Sequence, residues 1–417
     1  MTRRHDRSLN AVVIVGASLA GYRTAQALRE FGFRGSLHLV GEEPHLPYNR
    51  PPLSKHYLAR TSDESSIWLA TLLELDALDL ALALGRTAVN VDLCARYVEL
   101  DDGERLAYDA LVIATGARPR LIAGLTETSR PPSVHTLRTI EDGRRLSDVL
   151  LPRPDGRPTD VTVVGSGFIG SEVASTSLGL GAHVTLIDSG EAPMSAVLHS
   201  EMGHVLACRH RQAGINLRSN ATVREIMVDS AADGGISTEV RLANGESLAA
   251  DAVVVGVGVT PTTGWLQASG LQLDDGLVCD ETLQAHEGVF AAGDVTRWGP
   301  PGERGRRLEH WTNAVAQAEH VAHNIMAGPD ATPFDNIPYY WSDQFGFRLE
   351  VVGEPPAGCD LDFVWGTPQA ASLVALYRKG NDVLGVVAID ARHQMVAVRR
   401  AVRGASSWAS ALDAIAW

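Results

Sequence analysis

The sequence predicts an α/β chain built on two βαβ units, followed by a small α+β domain. Three observations predict this. Two glycine-rich hexads, Gly16-Ala17-Ser18-Leu19-Ala20-Gly21 and Gly165-Ser166-Gly167-Phe168-Ile169-Gly170, each follow a short apolar run (11–15 and 161–164) and open a helical stretch. Each unit closes on an acid after a further apolar run, Glu42 after 36–40 and Asp188 after 183–187. From Thr332 onward the texture changes to clustered aromatics, Tyr339, Tyr340, Trp341, Phe345 and Phe347, then alternating strands and a basic helix.

Taken in order, the first βαβ unit covers about 10–43, and a further strand at 110–114 ends in Thr115-Gly116. Residues 151–158 are rich in Pro and Gly and read as a connection. The second unit begins at Asp160. Residues 249–259 form a nearly continuous valine-rich run, the pattern of a strand buried on both faces. Residues 289–294 read as another strand ending in an acid, Asp294. Strands of the first sheet are therefore expected to return after the second unit. The expected domains are 1–118 with 246–330, then 119–245 inserted, then 331–417. In the last, strands are expected at 372–377 and 383–389 about a turn at Lys379-Gly380-Asn381, with a helix at 395–402.

The hexads carry the chemistry. Glycines allow a tight turn, and the helix behind the turn offers unpaired N–H groups and a positive dipole end to a pyrophosphate. Two such loops imply two dinucleotides, one on Gly16, Ala17, Ser18 and Gly21, the other on Gly165, Gly167, Ile169 and Gly170. Ser18 replaces the usual middle glycine, and its hydroxyl is able to meet a phosphate oxygen. Glu42, or its neighbour Glu43, is placed for ribose hydroxyls in the first unit, and Asp188 in the second. No Arg or Lys follows Asp188 through residue 198, which favours a ribose without a 2′-phosphate.

Composition narrows the class. A chain of 417 residues exceeds a single core, and a formal net charge of -14 argues against a general nucleic-acid binder. Cys94, Cys208, Cys279 and Cys359 are far apart and form no metal or redox pair motif. Residues 1–10 are polar and basic without an apolar core, and no run reaches bilayer-spanning length. A cytoplasmic protein with no membrane or nucleic-acid partner is expected.

Several further segments carry a family resemblance: Tyr48-Asn49-Arg50-Pro51-Pro52-Leu53-Ser54-Lys55, Ile113-Ala114-Thr115-Gly116, Gly167-Phe168-Ile169-Gly170-Ser171-Glu172, Ala291-Ala292-Gly293-Asp294-Val295, Glu309-His310-Trp311 and Tyr340-Trp341-Ser342-Asp343-Gln344. With them, nearly the whole chain resembles the FAD-dependent, NADH-linked ferredoxin reductases of bacterial oxygenase systems, of the putidaredoxin-reductase and aromatic-ring-dioxygenase-reductase type. The resemblance implies a glutathione-reductase-like flavoprotein fold with FAD on the first unit and NADH on the second. It implies Lys55 at the flavin N5 edge, salt-bridged to Glu172, and Phe168 as the aromatic covering the flavin ring. It matches Arg50, Val89, Thr115, Gly116, Arg138, Asp294, His310 and Trp311 to FAD contacts, and Gly258 to the NADH site. Asp294 as a helix N-cap is compatible with the same position.

The implied partner is an acidic iron–sulfur ferredoxin, expected to dock on a basic patch. The first candidate is Arg304-Gly305-Arg306-Arg307, centred on Arg306 and Arg307; the second is Arg392, Arg399, Arg400 and Arg403. A disulfide reductase or NADH oxidase of the same fold requires a redox cysteine near the flavin, and residues 1–91 contain none. A signalling flavoprotein of this kind commonly carries basic extensions and targeting peptides, and none is expected here.

Overall fold

The computed structural model describes residues 9–126, 128–230, 236–300, 302–403 and 408–415. The N-terminal stretch read above for targeting signals lies largely outside them. The chain folds into two units, one comprising 9–49, 64–118 and 260–336, the other 50–63, 119–259 and 337–415.

The first unit is organised by a sheet whose central strand, Ala11–Val15, runs parallel to Ser36–Gly41 on one side and Ala110–Ile113 on the other. Val12, Val13 and Ile14 are successive and fully buried, because helices and loops cover both faces. Val289–Ala291 adds next to Ala110–Ile113 and Ala81–Leu84 next to Ser36–Gly41. The helices Leu19–Glu30 and Trp311–Ala327 bury their small residues, including Ala20, Gly21, Ala314 and Ala318, in this core. Small side chains let helix backbones approach closely; a larger residue at Gly21 would place its Cβ 1.8 Å from the Gly16 carbonyl oxygen. An antiparallel three-stranded meander, Ala88–Asp92, Tyr97–Leu100 and Arg105–Ala107, completes the unit.

The second unit repeats the plan. Asp160–Val164 lies between His183–Ile187 and Ala252–Val255, all parallel. This corrects the expected boundary at 246. The valine-rich run announced a buried strand, but periodicity cannot say which sheet receives it, and Ala252–Val255 pairs with the second sheet. The first unit resumes only at 260. Residues 50–63 also belong with the second unit.

The C-terminal domain is a five-stranded antiparallel sheet in the order Tyr339–Gln344, Phe347–Gly353, Asp382–Ile389, Leu373–Lys379, Asp360–Trp365. Strand alternation sends Val374 and Leu376 to one face, where Met395 and Val398 of the helix Arg392–Arg403 cover them. Leu373, Ala375 and Tyr377 take the other face, against Leu198, Met202 and Leu206 of the helix Ser195–Gln212. The domain therefore packs as part of the second unit. Its first hairpin turns at Phe345 (φ 47°) and Gly346 (φ 78°), the two positive φ values that a two-residue turn matching strand twist requires. Among the described residues, no helix is long and apolar enough to cross a membrane.

Candidate functional site

In the first unit, Gly16 holds φ +120°, and a Cβ there would stand 2.1 Å from the Ala114 carbonyl oxygen. This is the tight-turn position. Ser18 is the N-cap residue of Leu19–Glu30, yet its side chain makes no capping bond, which leaves the hydroxyl to point elsewhere. Glu42 stands one residue past its strand and accepts from Arg118 Nη2 at 2.7 and 2.8 Å, an exposed pair of little energetic weight. The Glu43 carboxylate accepts instead from the Tyr48 hydroxyl. Thr115 Oγ1 donates to the Thr262 carbonyl at 2.9 Å, and Gly116 turns at φ 65°. Val89 lies exposed on the meander.

His310 is the N-cap of Trp311–Ala327, and the Trp311 indole N–H donates to Asn49 Oδ1 at 3.0 Å. Burial lowers the His310 pKa to about 4, opposed by the Asp294 carboxylate, so the imidazole is neutral at pH 7. Two residues on this helix escaped the sequence reading. Asn313 and Gln317 are fully buried, four apart on one helix face. Gln317 Oε1 accepts from the Gly293 N–H at 2.8 Å, beside Asp294, while Gln317 Nε2 and Asn313 Nδ2 have no protein acceptor. Thr296 Oγ1 is likewise buried and unpartnered. Buried donors are normally satisfied, so this cluster fits a group rich in acceptors. Two amides spaced by four on an alanine-rich helix were the available signal.

In the second unit, Gly165 holds φ +100°, with the Gly256 carbonyl oxygen 2.2 Å from where a Cβ would be, and a Cβ at Gly170 would meet the Gly165 carbonyl oxygen at 1.9 Å. Gly167, the N-cap of Phe168–Gly179, has nothing within 4 Å of its would-be Cβ. The first and third glycines are thus demanded by packing, whereas the middle one faces open space at a helix N-terminus, where a pyrophosphate fits. Ile169 is exposed beside it, and Gly258 (φ +97°) is equally open. Asp188 Oδ2 accepts from the Ser166 N–H at 2.8 Å and from its hydroxyl; Oδ1 accepts from the Gly190 N–H at 2.7 Å. The carboxylate is pinned at the strand end. Phe168 is partly exposed and packs edge-on to Tyr340, with ring centroids 5.4 Å apart. Arg50 donates to the Arg138 carbonyl, so these two come together.

Lys55 and Glu172 also meet in this unit. Lys55 follows the short helical turn Pro51–Ser54, and its Nζ lies 2.5 Å from Oε2 of Glu172, which is in the first turns of Phe168–Gly179. The Ser54 hydroxyl donates to the same oxygen at 2.6 Å, and the Ser342 hydroxyl to Oε1 at 2.8 Å.

The first basic run divides into one arginine with a largely buried side chain and two exposed ones. The Arg307 side chain is only 9 % exposed, held between Asp275 (3.3 Å) and Glu309 (2.7 Å), so local carboxylates spend its charge. Arg304 and Arg306 are the exposed members of that run, with Arg306 stacked over Trp298 at 5.1 Å. The Arg399 guanidinium lies over the Tyr339 ring at 3.9 Å; the side chains of Arg400 and Arg403 lie outside the described residues.

A parallel sheet with a glycine cradle at a helix N-terminus, present twice, and a lysine paired with a buried glutamate of the second cradle's helix define a two-dinucleotide oxidoreductase. Comparison with known proteins makes the class specific. The chain belongs to the pyridine nucleotide-disulphide oxidoreductase family, matched over residues 10–318, and residues 339–414 match the reductase C-terminal family. It is 35 % identical over 395 residues to rhodocoxin reductase of Rhodococcus erythropolis, covering 94 % of this chain and 88 % of that protein. It is 34 % identical to the ferredoxin–NAD(+) reductase component of the p-cumate 2,3-dioxygenase system of Pseudomonas putida, covering 96 % and 94 %. Among solved structures, the covalent putidaredoxin reductase–putidaredoxin complex aligns with a TM-score of 0.87 at 31 % identity, covering 96 % of this chain and 94 % of that one.

Proposed function

We propose that this chain is an NADH-dependent ferredoxin reductase that holds FAD on its first unit, binds NADH on its second, and delivers electrons to an iron–sulfur ferredoxin feeding an oxygenase. The observation that carries the reading is the pairing of Lys55 with the buried Glu172 on the helix of the second cradle. FAD supplies the conversion of a two-electron hydride into single electrons. The first cradle, Gly16, Ala17, Ser18 and Gly21, with Glu42, Val89, Thr115, Gly116 and Asp294, holds that cofactor; Arg50, Arg138, His310 and Trp311 assist. The second cradle, Gly165, Gly167, Ile169 and Gly170, with Gly258, takes the NADH pyrophosphate. Asp188 takes the ribose hydroxyls.

Lys55 supplies a positive charge that favours the reduced flavin, and Phe168 guards the ring. A neutral His310 suits this scheme, because hydride transfer needs orientation and electrostatics rather than a proton shuttle. The acidic ferredoxin docks at Arg306, with Arg304 in the place first given to Arg307. A thiol-based reductase of the same fold is disfavoured: Cys94 and Cys208 are exposed and unpaired, and burial raises the pKa values of the Cys279 and Cys359 thiols. Four free cysteines suit the reducing cytoplasm.

The test is anaerobic titration with NADH followed by addition of ferredoxin. Stoichiometric bleaching of the flavin by NADH and its recovery on adding oxidised ferredoxin are expected. Recovery only with a disulfide or peroxide would overturn the assignment.

A further inference from the structure

The C-terminal hairpin reaches the lysine–glutamate pair through a buried chain of hydrogen bonds. Gln344 Nε2 donates to Ser342 Oγ at 3.1 Å, and Ser342 Oγ donates to Glu172 Oε1 at 2.8 Å. Because the Gln344 amide nitrogen is committed to Ser342, its carbonyl oxygen faces His210 Nε2 at 2.7 Å and requires that nitrogen to be the donor. His210 is fully buried, its Nδ1 has no partner, and burial lowers its pKa to about 4, so it is a neutral Nε2–H tautomer. Every bond in the chain then points the same way, towards the carboxylate. The Asp343 N–H adds a longer contact to Oε1 at 3.3 Å, and Ser54 occupies Oε2 beside Lys55. His210, Ser342, Gln344 and Glu172 are each at most 3 % exposed.

We propose that Ser342 and Gln344, oriented by His210, are positioning residues that hold the Glu172 carboxylate and share its charge, and so set how much of the Lys55 charge is left for the cofactor. A carboxylate this deeply buried survives as an anion only if donors replace water. Lys55 and Ser54 supply donors to one oxygen, and the hairpin supplies them to the other. The more of the carboxylate charge these neutral donors take up, the less of it cancels the lysine. The hairpin is itself held in register: the Phe345 N–H donates to Ser175 Oγ at 2.6 Å, and the Phe345 ring lies 4.5 Å from the His210 ring. Within the hairpin, Asp343 and Arg348 pair with each other at 3.0 Å.

The proposal rests on the reading of Lys55 given above, and two readouts separate them. In the FAD-loaded protein at one fixed pH, the Glu172 carboxylate stretching bands are identified by infrared difference against Glu172→Gln. Ser342→Ala removes the donor to Oε1 and is expected to shift those bands, the signature of a lost hydrogen bond to a charged group. Gln344→Met, which leaves the hydroxyl in place, is expected to give a smaller shift and serves as the second variant if Ser342→Ala loses FAD. The flavin midpoint potential is measured on the same samples and should move in the order of the band shifts. Bands that move while the potential does not leave the hairpin role standing and remove the role of Lys55. Bands unmoved in both variants overturn the proposal.

Discussion

Lys55 Nζ lies 2.5 Å from Glu172 Oε2, and the glutamate side chain is 4 % exposed while the lysine keeps 15 %. The pair is asymmetric: the anion is sealed in and the cation retains an open side. Breaking a buried pair by removing one partner strands the other, so the two substitutions are expected to differ in kind. Lys55→Met should slow flavin reduction by NADH at least about tenfold while leaving NADH affinity nearly intact, because the cation matters for charge that develops in the reaction. Glu172→Gln should shift the flavin potential in the opposite sense, since an unpaired lysine is more effectively positive. Stopped-flow reduction at the unaltered rate in Lys55→Met would remove the lysine from the mechanism.

FAD retention is expected to depend on Gly16. The purified protein should be yellow and release intact FAD on denaturation. Gly16→Ala forces a Cβ against the Ala114 carbonyl oxygen in a φ region that alanine avoids, at an expected cost of about 1–3 kcal/mol. Flavin content by absorbance should fall with Tm; full occupancy at unchanged Tm would refute the placement of the cradle.

Cofactor choice is expected to rest on Asp188. Its carboxylate is fixed by Ser166 and Gly190, and the charge of the neighbouring Arg218 is committed to Glu246 at 3.0 Å. NADH should be preferred over NADPH by roughly 10²-fold or more in kcat/KM, and Asp188→Asn should narrow the gap. Equal specificity constants in the unaltered protein would contradict this.

Ferredoxin docking is expected to follow Arg306 and Arg304 rather than Arg307. Charge reversal at Arg306 and Arg304 should slow ferredoxin-dependent cytochrome c reduction at low ionic strength and flatten its salt dependence, with ferricyanide reduction unchanged. Reversal of Arg307 should instead lower stability by breaking its contacts to Asp275 and Glu309. Wild-type turnover and salt slope in the Arg304/Arg306 double variant would move docking to Arg392 and Arg399.

Acid stability should be limited by buried neutral histidines. His135 and His210 have pKa values lowered to about 4, chiefly by burial. The unfolded chain protonates them near 6.5, so the stability they hold at neutral pH is lost as pH falls from about 6.5 towards 4, at most about 3 kcal/mol each. Chemical denaturation at pH 7 and pH 4.5 should show a smaller acid loss in His210→Phe than in the unaltered protein. An identical loss would place the titration elsewhere.

The two cradles were legible in the sequence because their chemistry is local. A glycine at a strand end, a glycine five residues on and an acid after the next strand are each fixed by backbone geometry within one βαβ unit, and Gly16, Gly165 and Asp188 stand where that pattern puts them. What the tertiary structure decided was long-range. The valine-rich strand Ala252–Val255 joined the second sheet, because apolarity specifies burial but not a hydrogen-bonding partner. Arg307 was neutralised by Asp275, 32 positions away, which no run of basic residues discloses. The amide nitrogens of Asn313 and Gln317, which have no protein acceptor, and the hairpin donors at Ser342 and Gln344, gain meaning only from what they face after folding. A polar side chain has the same composition in water and in a core; only packing decides whether it is solvated or must find, or hold, a partner.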